Sequence, residues 1–298
     1  MTTLAVVAPA SSADPERVRR GMERLRALGF EVRPMPHALG RSRPYFSAGV
    51  QERLADLHAA FADPAVDAVI CTRGGYGSNY LLEGVDLELL RRHPKPFLGY
   101  SDHTAIGAWM LDQARVPWLH GAMMAADFSR EDGVELTSFR AALVGDAYVV
   151  GAAEGLRVLR PGRAAGRLHG GCMSLLTASL GTRFAAQTEG RLLFLEDQGE
   201  KPYQIDRMLR HLRMAGKLEA VTGIVFGEML DCVSPGAPAE LVQRVVAEVL
   251  DWFPGPIAYG LRSGHVSRAN VTLPMGVEAE LVMEQETMEL RIGPRRKV

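Results

Sequence analysis

The stretch PFLGYSDHTAIGAWM, residues 96–110, passes from a short apolar run through one polar turn into a helix. A second stretch, VDAVICTRGGYG at residues 66–77, passes in the same way from an apolar run into a glycine-rich turn. Short apolar strands that alternate with helices are typical of a parallel sheet with both faces covered. This pattern predicts an α/β fold whose amino-terminal part is a parallel-sheet, Rossmann-like domain.

The alternation of strands and helices begins at the amino terminus. LAVVAPA at residues 4–10 predicts a buried strand, and FEVRPM at residues 30–35 predicts another. Between them, Asp14 and Pro15 predict the start of a helix, because aspartate caps a helix and proline fits its first turn. Gly29 predicts the end of that helix.

Beyond residue 128 the pattern changes. Residues 129–165 have mixed polarity and several glycines, which indicates a connection between domains. Further on, apolar runs and helices alternate again, and residues 288–292 alternate like a strand of an antiparallel hairpin. We therefore predict an N-terminal α/β domain over residues 1–128, an interdomain linker over 129–165 and a smaller C-terminal mixed α/β domain over 166–298.

The composition argues against several classes of protein. The 298 residues carry a formal net charge of −1, so the chain has no broad basic field for nucleic acid or an anionic membrane. It has no signal-peptide pattern and no apolar stretch near the roughly 20 residues of a membrane span, so we expect a cytoplasmic protein. The three cysteines lie far apart, without a CxxC or Cys/His cluster, so no metal site is expected.

Two turns at the ends of predicted strands carry candidate functional residues. The hydroxyl of Ser101 is expected to project from the carboxyl edge of the sheet, beside the amides of the first helical turn. The GxSxG pattern of a nucleophile elbow is absent, however, and Ser101 or Asp102 as a plain helix N-cap is the simpler interpretation. The glycines of residues 73–77 let backbone amides approach an anion, although a tight turn alone would also explain them.

Glu196 and three histidines are the other candidates. Glu196 ends the apolar run RLLFLE at residues 191–196, where a carboxylate serves either as a helix cap or as the partner of a cation or histidine. His265 lies in a glycine-flanked loop from which it could face a cleft, and His103 and His120 lie near the predicted Ser101 turn. Spacing alone does not choose among the three histidines.

Seven segments together resemble the LD-carboxypeptidase family of serine peptidases, which includes the murein tetrapeptide carboxypeptidases and the microcin C immunity peptidases. The resemblance covers nearly the whole chain, and the junctions RGGYG, GYSD, FLED and GH…N…LPMG occur in the order of the family. The segments are VVAPAS (6–11), RLADLHAAFADPAVDAVICTRGGYG (53–77), FLGYSDHTA (97–105), VPWLHGAM (116–123), GGCMSLLTASLGT (170–182), LLFLEDQGEKPYQIDRML (192–209) and GHVSRANVTLPMG (264–276).

The resemblance implies a Ser-His-Glu catalytic triad. Ser101 would be the nucleophile, His265 the base and Glu196 the carboxylate that orients the base. The backbone amides of Gly75 and Asp102 would form the oxyanion hole. This chemistry uses no cofactor and no metal.

The implied substrate is a murein peptide, cleaved between an L-configured centre of meso-diaminopimelate and a terminal D-alanine during peptidoglycan recycling. A carboxypeptidase must hold a free carboxylate, and Arg73 beside the glycine amides is a candidate for this role. Cys172 stands where the turn of the family is expected to carry an asparagine. The resemblance also implies a homodimer.

Two other functions stay open. A microcin C-type immunity peptidase would use the same triad on a peptidyl-nucleotide, although we see no decisive nucleotide-stacking aromatic residue. The alternative that is not an enzyme is a peptide-binding protein without catalytic activity. The presence of Ser101, Glu196 and His265 argues against it.

Overall fold

The computed structural model describes residues 1–40, 45–233 and 235–295. The chain divides into two compact units. Of the described residues, the first contains those within 1–143 and 268–274, and the second contains those within 144–267 and 275–295. Within the described residues, no helix is both long enough and apolar enough to cross a membrane.

The first unit is built on a six-stranded sheet within the described residues, in the order β12-β5-β4-β3-β1-β2. All pairings from β5 to β2 are parallel, as predicted for this part of the chain. The strands are β1 (Thr3–Val7), β2 (Glu31–Pro34), β3 (Ala68–Cys71), β4 (Phe97–Leu98), β5 (Trp118–His120) and β12 (Leu273–Met275). The helices are α1 (Pro15–Ala27), α2 (Val50–Ala62), α3 (Leu87–Arg92), α4 (His103–Ala114) and α5 (Leu136–Val144).

Helix α1 follows the local signals in the sequence. Asp14 is its N-cap, and the side chain of Asp14 accepts a hydrogen bond of 2.9 Å from the amide of Glu16. Val18 and Leu25 on one face are fully buried. The chain leaves the helix at Gly29, whose φ of +92° is the left-handed conformation that glycine adopts without strain.

The second unit contains an eight-stranded mixed sheet, in the order β6-β14-β13-β8-β9-β10-β11-β7 for the described residues. Its central strands β8, β9, β10 and β11 are parallel, and the outer pairings are antiparallel. The strands are β6 (Tyr148–Gly151), β7 (Arg157–Arg160), β8 (Gly162–Cys172), β9 (Arg191–Glu196), β10 (Gly223–Gly227), β11 (Ile257–Leu261), β13 (Glu278–Met283) and β14 (Met288–Ile292). The helices are α6 (Met173–Ala178), α7 (Pro202–Met214) and α8 (Leu241–Val249).

Residues 129–165, the predicted linker, contain α5, β6, β7 and the first residues of β8. The division between the two units falls inside this stretch, between residues 143 and 144. Strands β6 and β7 bury few of their residues, and Val149 and Val158 are both exposed to solvent. They make the second unit nearly as large as the first.

The carboxyl ends of the parallel strands position the candidate residues. In the first unit, the glycine-rich loop follows β3 and Ser101 follows β4. In the second unit, Glu196 is the last residue of β9 and His265 lies in the loop after β11. Since ligands of open α/β sheets bind at the carboxyl ends of strands, each unit presents its candidate residues where chemistry is expected.

Candidate functional site

Ser101 occupies a sharp turn between β4 and α4. Its φ is 63°, a left-handed conformation that costs free energy for a residue with a side chain and that clusters at functional sites. The side chain is half-buried, and helix α4 begins two residues later at His103. This is the strand-turn-helix geometry of a nucleophile elbow, although the sequence lacks the GxSxG pattern.

The glycine-rich loop after β3 lies against the Ser101 turn. A Cβ atom added to Gly74 would lie 2.8 Å from the Cβ of Ser101 and 3.4 Å from the amide nitrogen of Asp102. Gly75 has a φ of +101°, and a Cβ there would lie 2.5 Å from the Oγ of Ser11. Only glycine fits both positions, so these residues are required for the close approach of two backbone segments.

The amides of Gly75 and Asp102 are suited to hold a negatively charged oxygen. In the described part of the chain, neither amide donates a hydrogen bond to another protein group. Gly75 is exposed, and the Asp102 amide precedes α4, where the helix dipole favours negative charge. The loop and the turn can therefore offer two donors beside the hydroxyl of Ser101.

Arg73 brings a positive charge to the same loop. Its side chain is exposed, and its guanidinium donates a hydrogen bond of 3.2 Å to the carbonyl of Ser12. One guanidinium nitrogen lies 3.7 Å from the position that a Cβ of Gly75 would take. An exposed guanidinium at this distance can attract a carboxylate that reaches the loop.

His103 and His120 are both fully buried in the first unit. In the residues that the structure describes, neither ring nitrogen of His103 has a hydrogen-bond partner, and burial lowers the pKa of His103 to about 4. The ring of His120 packs against Tyr100 and Trp118 at centroid distances of 5.9 and 5.7 Å. Both rings pack in the interior of the unit, which favours a structural role.

His265 is paired with Glu196 in the second unit. The Nδ1 atom of His265 lies 2.8 Å from Oε2 of Glu196, and the backbone amide of His265 donates to the same oxygen at 3.0 Å. Glu196 is fully buried, whereas 18% of the His265 side chain is exposed. Because a carboxylate oxygen accepts the Nδ1 proton, the pair fixes the ring tautomer that leaves Nε2 as the basic nitrogen.

Two glycines allow this pair to form. A Cβ atom on Gly264 would lie 2.5 Å from the carboxyl carbon of Glu196, and one on Gly227 would lie 2.6 Å from its Cβ. Gly264 also has a φ of +90°. The glycine that precedes His265 therefore has a steric purpose, since any larger residue would push the loop away from the carboxylate.

A second buried carboxylate, Asp197, follows Glu196 directly. Its oxygens accept hydrogen bonds of 2.7 Å from the Ser174 amide and 3.0 Å from the Gln198 amide. The Sγ atom of Cys172 lies 3.6 Å from the same carboxylate. Burial and the charges of Glu196 and Asp197 raise the pKa of the Cys172 thiol, so it stays protonated and can donate to Asp197.

The stability of the protein should depend on pH through Asp197. Burial, and then the neighbouring charge of Glu196, raise the pKa of Asp197 from 3.8 to about 6. Between these two values the folded chain binds a proton that the unfolded chain does not, so the free energy of unfolding rises as pH falls from about 7 towards 4. We expect this group to contribute up to about 3 kcal/mol of that rise.

Denaturant unfolding of the wild type and Asp197→Asn at pH 8 and pH 5 tests this expectation. The amide variant cannot titrate, so its gain in stability at pH 5 should be smaller than the gain of the wild type. Any hydrogen bond that the amide misplaces costs the same at both pH values and cancels in the comparison. An equal pH dependence in the two proteins would show that Asp197 does not titrate in this range.

The structure brings the candidate residues together in two sets. Ser101 lies with Gly75 and Asp102 in the first unit, and Glu196 pairs with His265 in the second. Ser11 also supports the site, since its hydroxyl accepts a 3.1 Å hydrogen bond from the amide of Tyr76 in the glycine-rich loop. The sequence pattern does not indicate this contact, because the two residues are 65 positions apart. Among described residues, no group of three or more His, Cys, Asp or Glu is arranged to hold a metal ion.

Two family models match the chain. The model of the LD-carboxypeptidase N-terminal domain matches residues 4–121, and the model of the LD-carboxypeptidase C-terminal domain matches residues 165–281. Together they cover well over half of the chain. The first match contains the glycine-rich loop and Ser101, and the second contains Glu196 and His265.

Individual proteins match over nearly their full lengths. The chain is 36% identical over 295 residues, 98% of its length, to a "Probable murein peptide carboxypeptidase" of Bacillus subtilis strain 168, of which 92% is covered. The crystal structure of a muramoyltetrapeptide carboxypeptidase from Oxalobacter formigenes has a TM-score of 0.86 at 27% identity, over 99% of this chain and 100% of that one. The crystal structure of an MccF-like protein from Bacillus anthracis strain Ames has a TM-score of 0.88 at 28% identity, over 99% and 97%.

Proposed function

Because the chain belongs to the LD-carboxypeptidase family of serine peptidases, we propose that it removes the terminal D-alanine of a murein tetrapeptide with a Ser101-His265-Glu196 triad. The names of the Bacillus subtilis relative and of the Oxalobacter formigenes neighbour support a murein peptide as the substrate. The geometry of three groups supports the triad: the Ser101 turn, the loop at Gly75 and the Glu196–His265 pair.

The observation that carries the proposal is the double contact of Glu196 with His265. One carboxylate oxygen accepts both the ring Nδ1 proton, at 2.8 Å, and the backbone amide of His265, at 3.0 Å. This arrangement fixes both the tautomer and the position of the imidazole. A carboxylate that orients a partly exposed histidine in this way is the arrangement that the base and carboxylate of a serine hydrolase triad require, which supports the proposal.

In the first step, the Ser101 Oγ attacks the carbonyl carbon of the scissile amide while Nε2 of His265 takes the hydroxyl proton. The amides of Gly75 and Asp102 stabilise the negative oxygen of the tetrahedral intermediate. The C–N bond then breaks, and the imidazolium gives its proton to the leaving amino group of D-alanine. The shortened peptide remains as an ester on Ser101.

In the second step, water attacks this ester while His265 again accepts a proton. The second tetrahedral intermediate collapses, the Ser101 oxygen takes the proton back, and a tripeptide with a free carboxylate leaves. Glu196 stabilises the charged imidazolium in both steps and does not itself change protonation. Arg73 is proposed to attract the terminal carboxylate of the substrate, since its guanidinium is exposed beside the Gly75 loop.

A peptidyl-nucleotide is the second candidate substrate, because the MccF-like neighbour matches the fold as well as the muramoyltetrapeptide carboxypeptidase does. The same triad would then cleave an amide next to an acyl-sulfamoyl or phosphoramidate group. The predicted homodimer and the predicted cytoplasmic location are not needed for either reaction. Light scattering on the purified protein would test the dimer.

Mass spectrometry of reaction products distinguishes the candidates. The purified protein is incubated with L-Ala-D-Glu-meso-diaminopimelate-D-Ala, with the same peptide ending in L-Ala, and with an aminoacyl-sulfamoyl adenosine. We expect release of D-alanine from the first peptide and at least about 100-fold slower release of L-alanine, because the leaving residue must fit a chiral site. Preferred cleavage of the adenosine conjugate would favour the second candidate, and no cleavage of any of the three would contradict both.

A further inference from the structure

Two short hydrogen bonds join Ser78 to Asp102 in the interior of the first unit. The amide of Ser78 donates to the Asp102 side chain at 2.7 Å, and the Ser78 hydroxyl donates to the Asp102 backbone carbonyl at 2.6 Å. Ser78 is fully buried and Asp102 is 1% exposed. Hydrogen bonds this short, shielded from water, hold their partners firmly.

The two residues belong to the two segments that carry the oxyanion donors. Ser78 follows Gly75 by three residues and ends the glycine-rich loop, and Asp102 supplies the second donor from its own backbone amide. The segments already touch at Gly74, where there is no space for a side chain. The Ser78 hydroxyl therefore fixes the loop to the peptide unit that follows the Asp102 amide.

Other hydrogen bonds also tie the loop to the rest of the unit, among them two made by the side chains of Ser11 and Arg53. The hydroxyl of Ser11 accepts the amide of Tyr76, and the buried guanidinium of Arg53 donates to the carbonyl of Gly77 at 2.9 Å. These two bonds fix the loop to strand ends and to α2. Only the bonds of Ser78 tie it directly to Asp102 among the hydrogen bonds of the described residues.

We propose that Ser78 is a positioning residue that sets the distance between the Gly75 and Asp102 amides and so completes the oxyanion hole. The inference rests on the proposed function, because it assigns a purpose only if these amides stabilise an oxyanion. Removal of one oxyanion donor costs roughly 10²- to 10³-fold in rate, and a donor displaced by a fraction of an ångström loses part of that effect. We therefore expect Ser78→Ala to lower kcat roughly 10- to 100-fold with little change in KM.

A purely structural role must be distinguished from this one. Loss of a buried serine hydroxyl leaves the Asp102 carbonyl without that donor and destabilises the fold. Ser138→Ala is the matched control, since Ser138 is 1% exposed and its hydroxyl accepts a 3.1 Å hydrogen bond from the distant Thr272 amide. Both variants should lose stability, but only Ser78→Ala should lose kcat.

The rate of labelling by a fluorophosphonate supplies the decisive readout. The phosphoryl oxygen of this probe takes the place of the oxyanion when the serine attacks, so the rate reports the oxyanion hole without a peptide substrate. We expect the second-order labelling rate of Ser101 to fall in Ser78→Ala by the same factor as kcat/KM. The KM for the tetrapeptide should change less than about twofold, because ground-state binding of its neutral amide does not need the developing charge.

Three outcomes separate the claims. If Ser78→Ala labels and turns over at the rate of Ser138→Ala, the positioning role is wrong. A second outcome is that the probe labels Ser101 in the wild type and reacts slowly with Ser78→Ala, while neither protein releases D-alanine from the tetrapeptide. In that case the proposed substrate is wrong, but the positioning role of Ser78 is supported. If Ser78→Ala does not fold, Ser78→Cys keeps the size with a weaker donor, and an unchanged labelling rate in that variant would overturn the proposal.

Discussion

Ser101→Ala is expected to abolish the release of D-alanine, with a loss in kcat on the order of 10⁴-fold or more. Without the Oγ atom no ester can form, and the remaining oxyanion donors accelerate only the direct attack of water. The fold should persist, because the half-buried side chain sits in a turn and alanine accepts the φ of 63° at the same cost as serine. The assay is D-alanine release by purified, folded protein.

Ser129→Ala is the control for this variant. Ser129 is also half-buried, and its hydroxyl makes a 2.9 Å hydrogen bond to the carbonyl of Ala125. Its loss should lower kcat less than about twofold, because it lies outside the proposed machinery. D-alanine release at the wild-type rate by a well-folded Ser101→Ala protein would show that Ser101 is not the nucleophile.

His265→Ala is expected to lose a similar factor, on the order of 10⁴-fold in kcat. The variant removes the atom that is proposed to take the Ser101 proton, and it leaves Glu196 without the ring Nδ1 as a hydrogen-bond donor. Some loss of stability is therefore expected, of about 1 to 3 kcal/mol, and folding must be checked first. Added imidazole should restore part of the activity, because the cavity left by the ring can admit a diffusible base.

His103→Leu is the variant to compare with His265→Ala, because the two together show which histidine acts as the base. Leucine has nearly the volume of histidine, and the ring of His103 is fully buried without a hydrogen-bond partner in the described residues. With its pKa lowered to about 4, His103 is neutral at physiological pH and its replacement removes no charge. Loss of activity by orders of magnitude in His103→Leu, with His265→Ala near wild type, would reverse the assignment of the base.

The parallel sheet of the first unit could be predicted from the sequence because the helix-capping residues and the apolar runs there indicate the same order of strands and helices. Asp14, Pro15 and Gly29 mark the ends of α1, and the strands are short apolar runs that end at turns. Strands β6 and β7 could not be predicted in the same way. They lie at the outer positions of their sheet, where β6 is a run of only three large apolar residues, Tyr148 to Val150, and the Val-Leu pair of β7 stands between arginines, so neither shows a clean alternation.

The site could be predicted only in part from residue patterns. Spacing leaves His103, His120 and His265 open, and the resemblance to the family is what selects His265. The physical reason for selecting His265 appears in three dimensions, where its ring contacts Glu196, 69 residues away. Ser78 had no pattern of its own, because its partner Asp102 lies 24 residues further along the chain.

Labelling with a fluorophosphonate tests most directly whether Ser101 is the nucleophile of this enzyme. The labelled protein is digested and the modified residue is mapped by mass spectrometry, while D-alanine release is followed in parallel. We expect one label per chain, on Ser101, with activity falling in proportion to the labelled fraction and no labelling in His265→Ala. A label on another serine, or full activity in protein labelled completely at Ser101, would contradict this assignment.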